Sequence, residues 1–157
     1  MKSFIPLAVA AIVALTSFRG FSQSNEVAPG VLQVGEIQNP AVAESSGIIP
    51  SRRTRGAFWT HNDSGLDMIY AMRGDGRALG EWKIKGVEMQ NIEDIASSPG
   101  RLYLADIGNN DRTREEVWVY SLPEPLATRS GVVRPNRAWR LRFPGDPFER
   151  RTGLQRC

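Results

Sequence analysis

The chain has 157 residues with a formal charge of +3, and it contains one cysteine (Cys157) and one histidine (His61). The length fits one domain, the single cysteine excludes an intrachain disulfide, and this stock of His and Cys excludes a zinc site built from several of them. The positive charge sits at the ends: eight arginines against two acids beyond Pro125 give +6, Lys2 and Arg19 lie near the start, and residues 23–125 are left with −5. The basic folded surface that a nucleic-acid partner requires is therefore not expected.

Residues 1–22 read as a signal peptide. Lys2 supplies the positive start, residues 5–15 an apolar core, and Gly20 and Ser22 the small residues before a cut ahead of Gln23. The apolar core is short for a membrane span of roughly 20 residues. Arg19 beside the cut leaves an uncleaved anchor or a buried helix as alternatives. The expected location is outside the cytoplasm, periplasmic or extracellular, with no stable membrane span once the leader is cleaved.

Residues 23–40 combine a polar linker with a first strand, the alternating VLQVGEI at 31–37, closed by the turn signal Asn39-Pro40. Strands are expected at 47–50, 57–60, 68–72 and 78–84. They are separated by SRRTRG, by HNDSG from residue 61, and by the hairpin loop GDGR, all rich in turn-forming residues. A second set follows at 92–96, 102–105 and 117–122, ended by Pro123 and Pro125. AWRLRF near residue 138 reads as the beginning of a third unit, so that 126–157 is a partial third blade followed by an irregular Arg-rich tail. No long amphipathic helix follows the leader, and short strands with Gly, Asn and Asp turns argue all-β.

These two sets are one segment used twice. Residues 45–72 recur in degraded form at 92–122: Ile48 aligns with Ile95, Phe58 with Tyr103 and Tyr70 with Tyr120. A repeat of about 45 residues holding four short strands matches one propeller blade. The expected fold is all-β, an incomplete β-propeller of about two to three blades of antiparallel strands after an N-terminal signal helix, with two blades in 41–125. A ring closes with roughly 4–8 blades. The chain is therefore expected to be part of a longer propeller, a truncated product, or a subunit that assembles. A compact incomplete sandwich is the alternative.

The ordered pieces ESSGII, AFWTHNDSG, IYAMRGDGRALGEWKI, NIEDIA, RLYLADIGNN and VWVYSLPEP resemble a family of exported bacterial β-propeller proteins. They are similar, more distantly, to phytase-like esterases, gluconolactonase-type lactonases and NHL-type propellers. The resemblance covers residues 44–125. It implies a propeller fold and adds weight to bound calcium.

In a propeller, polar residues at matching points of successive blades converge on one mouth. Glu44, His61, Asn62 and Asp63 come from the first unit; Glu93, Asp94, Asp106, Asn109 and Asn110 come from the second. Carboxylates and amide oxygens in this mixture suit Ca²⁺, which takes six to eight oxygens. The candidate metal ligands are Glu44, Asn62, Asp63, Glu93, Asp94, Asp106 and Asn109. Turn chemistry accounts for Asn and Asp equally well, but Glu93 and Asp94 interrupt an apolar strand start and need a reason. His61 is a candidate general base with Asp63 or Asp106 beside it, against the blander reading of a solvated turn histidine. Ser45 and Ser64 lie outside any G-x-S-x-G elbow. Trp59, Trp82, Trp118, Tyr70, Tyr103 and Tyr120 are expected to pack between blades, a sugar platform being the alternative.

The functional expectation is a secreted or periplasmic binding or scaffold module whose partner is a small molecule or a protein. The alternative is a Ca²⁺-dependent hydrolase of a phosphoester or lactone, with Glu44, Glu93, Asp94 and Asp106 holding the cation. A non-functional fragment is the third possibility.

Overall fold

The computed structural model describes residues 25–63, 67–110 and 113–142. The leader, Ser64 and the tail beyond residue 142 lie outside the described residues. Every regular element among the described residues is a strand. In chain order these are β1 (Asn25–Ala28), β2 (Val31–Gln33), β3 (Ser45–Pro50), β4 (Ala57–Asn62), β5 (Met68–Arg73), β6 (Ala78–Ile84), β7 (Ile92–Ser98), β8 (Arg101–Asp106), β9 (Glu116–Pro123), β10 (Gly131–Val133) and β11 (Arg137–Arg142).

The expected strand at 31–37 shortens to β2, because the chain then turns to run beside the first sheet. There Gln38 N donates to Gly76 O at 2.9 Å, Asn39 Nδ2 to Glu81 Oε1 at 2.9 Å, and Asn62 Nδ2 to Ala41 O at 2.8 Å. HNDSG turns later than its composition suggests, since His61 and Asn62 still pair with β3. The β7–β8 turn narrows to Pro99-Gly100. Proline presets φ and Gly100 takes φ +74°, the requirement of a type II turn.

Three sheets result. β1 and β2 form a hairpin, a five-stranded sheet runs β10-β6-β5-β4-β3, and a four-stranded sheet runs β11-β9-β8-β7. Within each large sheet four strands form an antiparallel meander. β11, expected to open a third unit, is instead the fourth strand of the second sheet, with Trp139 opposite Val119. The sequence hid this because the chain makes a detour first. It leaves β9 at Pro123, crosses to the first sheet, adds β10 parallel to β6, and returns. Residues 124–136 are therefore a strap between the two sheets.

The strap is fastened by Glu124, a residue that sequence reasoning passed over. Its side chain is buried, and Oε1 accepts from Ser51 Oγ (2.6 Å), Arg52 N (3.0 Å), Arg53 N (3.3 Å) and Trp59 Nε1 (3.1 Å). A carboxylate buried in this way needs such donors to offset its desolvation. The only sequence signal is its place in Pro-Glu-Pro, directly after an apolar strand.

The core lies between the two large sheets. Trp59, Ile69 and Ile84 of the first meet Ile95, Leu102, Leu104 and Leu122 of the second. Each fully buried side chain of this kind contributes about 1.5–3 kcal/mol.

Strand registers refine the internal alignment. Trp59 pairs with Ile49 and Ala71, as Tyr103 pairs with Ala96 and Ser121. Trp82 pairs with Ile69, as Trp139 pairs with Val119. Trp59 thus corresponds to Tyr103, Ile69 to Val119 and Trp82 to Trp139. Ile48 and Ile95 keep their match, as do Tyr70 and Tyr120, whereas Tyr103 shifts by one position from Phe58 to Trp59.

Candidate functional site

Antiparallel pairing brings the start of β3 to the end of β4, and the start of β7 to the end of β8. Ser45 lies opposite Asn62, and Ile92 opposite Asp106. All the candidate ligands therefore gather at one end of the two sheets. Ile92 N donates to Asp63 O at 2.9 Å and joins the two groups.

In the first group, Asn62 Oδ1 accepts from Glu44 N at 3.2 Å, and Asp63 N donates to Glu44 O at 3.2 Å. Asp63 Oδ1 is buried and has no hydrogen-bond partner among the described residues. Asn91, which the sequence did not single out, bridges the groups. In the orientation that satisfies its neighbours, its Nδ2 donates to Asp63 O at 2.9 Å and to Glu93 Oε1 at 3.3 Å.

The second group is more constrained. Asp106 is fully buried, and its Oδ1 accepts from Asn91 N (2.9 Å), Gln90 N (3.3 Å) and Arg114 Nη1 (2.8 Å). Arg114 also donates to Gly108 O, while Asn109 clasps the Arg114 backbone through Oδ1 and Nδ2. Asp106 and Asn109 thus order the β8–β9 loop. Together with Arg114, Glu88, Glu116 and Trp118, Asp106 lines a cavity of about 470 Å³.

Glu93 and Asp94 interrupt the apolar strand start for a backbone reason. The β7 register shifts between Ile92 and Asp94, leaving Glu93 as the extra residue of a bulge. Asp94 is exposed and accepts from Ile95 N at 2.7 Å. The same irregularity lies between Ser45 and Gly47 in β3.

His61 is completely buried. Its Nδ1 lies 2.9 Å from Asn62 O, an acceptor, so Nδ1 carries a proton. Nε2 is buried without a partner among the described residues, close to Gly47 and the Ile95 side chain. Ser45 Oγ donates to Thr60 Oγ1 at 2.7 Å, because the Thr60 hydroxyl donates to Gly47 O at 2.7 Å.

Calcium requires several oxygens converging on one point. Among the described residues no three Asp, Glu, His or Cys side chains group closely enough to hold one ion. At this end Asp106 Oδ1 accepts from Arg114 and two backbone amides, Glu93 Oε1 accepts from Asn91, and Asp63 Oδ1 has no hydrogen-bond partner among the described residues.

The fold and this end define an all-β protein of two packed meander sheets with a polar, hydrogen-bonded rim. No family model matches the sequence, and neither curated proteins nor solved structures give a significant match.

Proposed function

We propose that the chain is an exported β-propeller-like module, part of a longer propeller, that serves as a binding or scaffold unit. One observation carries this reading: among the described residues, the face of the second sheet turned away from the first repeats the covered face of the first. Trp59, Ile69, Trp82 and Ile84 of the first sheet pack against the second or border that core. Their register partners in the second sheet are Tyr103, Val119, Trp139 and Leu141. These point away from the core by strand alternation, and Leu141 is 46% exposed. A sheet apolar on both faces is built to be covered on both. The occupant that fits is a further meander, set against the second sheet as the second is set against the first.

Light scattering across a concentration series tests the reading. The chain is expected to self-associate through this face and to become monomeric with Trp139→Glu and Leu141→Glu together. A parent chain that stays monomeric throughout would sink it. Export is tested by fusing alkaline phosphatase after residue 142, since that reporter needs disulfides formed outside the cytoplasm.

The alternative, a Ca²⁺-dependent phosphoester or lactone hydrolase, is supported by Asp63, whose Oδ1 is buried without a hydrogen-bond partner among the described residues and whose backbone oxygen accepts from Asn91, the residue that also bonds Glu93. A calcium-dependent rise in melting temperature that disappears in Glu93→Gln would favour it. An unchanged melting temperature at millimolar calcium would count against it.

A further inference from the structure

We propose that the cavity between the strap and β6 binds an amphipathic organic anion, a carboxylate carried on an apolar body. The cavity has a volume of about 500 Å³, within the range of small-molecule sites. Trp82, Leu126 and Val132 form its apolar wall, and Arg53, Arg129 and Arg134 stand around it.

The charge is unbalanced. None of these three arginines makes an ion pair among the described residues. The acid in the lining, Glu124, turns its Oε1 inward to Trp59, Ser51 and two backbone amides. Arg53 Nη1 donates to the Glu124 backbone oxygen at 2.9 Å, which fixes the guanidinium without touching the carboxylate. Three guanidinium groups against the one Glu124 carboxylate, whose Oε2 is buried without a hydrogen-bond partner among the described residues, leave two positive charges for a ligand. Planar guanidinium suits a carboxylate by paired N–H···O bonds.

The apolar wall is equally fixed. Trp82 Nε1 donates to Leu126 O at 3.2 Å, so its polar edge is already satisfied by the strap. Gly131 lies so close to the Trp82 ring that an added Cβ would come within 3.0 Å of it. The indole is held in place, and the ligand meets a hydrocarbon surface beside a cationic rim. Inorganic phosphate satisfies only the rim, and a neutral alcohol only the wall.

Calorimetric titration of the full chain with octanoate, octanol and inorganic phosphate tests the assignment. Octanoate is expected to bind saturably with one site per chain, about tenfold or more tighter than octanol or phosphate. Arg129→Glu with Arg134→Glu is expected to weaken octanoate about tenfold or more, while Arg140→Ala, an exposed arginine outside the cavity lining, leaves it unchanged. Both arginines are exposed, so the melting temperature should stay at the parent value; if it falls, Arg129→Gln with Arg134→Gln replaces the pair. Equal octanoate affinity in the charge variant overturns the proposal. So does octanol or phosphate binding as tightly as octanoate, or loss of octanoate binding in Arg140→Ala.

Discussion

The indole N–H of Trp59 donates to Glu124 Oε1 at 3.1 Å, joining the centre of the first sheet to a strap that leaves the second. Three further donors share that oxygen. Glu124→Ala strands a buried indole N–H and opens the strap, and is expected to cost about 3 kcal/mol. Glu124→Gln keeps an acceptor and is expected to cost about 1 kcal/mol. Urea midpoints distinguish the two; equal losses would show that the oxygen is not the fastening point.

The Asp106–Arg114 pair at 2.8 Å is buried on both sides, with side-chain exposures of 1% and 11%. Removing one partner leaves an uncompensated charge, so Arg114→Met is expected to cost about 3 kcal/mol, with little dependence on salt. Arg140, 59% exposed beside Glu116, is expected to change stability by under about 1 kcal/mol on conversion to Ala. Denaturation at low and high salt checks both; a strongly salt-dependent loss in Arg114→Met would contradict the burial argument.

Tyr70 and Tyr120 give the fold an alkaline limit. Burial, reinforced by Glu81 for Tyr70 and by Asp106 and Asp67 for Tyr120, raises both phenols above their usual pKa of 10.0, with Arg114 opposing the shift at Tyr120. A folded-state pKa above the unfolded one means the neutral phenol is favoured by folding. Its contribution is complete below pH 10 and is lost as pH rises through the raised values. Stability should therefore decline above about pH 10, and Tyr70→Phe or Tyr120→Phe should flatten that decline. Urea midpoints on either side of this pH provide the check, and an unaltered slope in both variants would refute it.

Gly47 marks the seam between the sheets. An added Cβ would lie 2.8 Å from His61 Nε2 and 3.1 Å from the Ile95 side chain. Gly47→Ala must push the buried imidazole or part β3 from β7, at an expected cost of about 1–3 kcal/mol. Amide exchange should quicken in β3 and β7 before β9; uniform quickening would place the strain elsewhere.

The polar rim was legible residue by residue but not as an arrangement. Asn62, Asp63 and Asp106 stand out as polar groups at strand ends, and alternation locates those ends. Their partners do not follow from spacing. Arg114 reaches Asp106 from across a loop, Asn91 reaches Asp63 in the other sheet, and the Glu93 bulge appears only when two strands are paired.

Local chemistry determined the strands. β-favouring runs bounded by Gly, Asn, Asp and Pro state where the chain extends and turns, and a degraded repeat states that one meander is used twice. These signals lie within a few residues of each other, so the sequence carries them alone. The destination of residues 124–142 was decided in three dimensions. Glu124 finds four donors only when both sheets are in place, β10 pairs with a strand about 50 residues earlier, and β11 then completes the second sheet. Long-range pairing depends on which buried groups remain unsatisfied once the sheets have packed, and no local pattern encodes that sum.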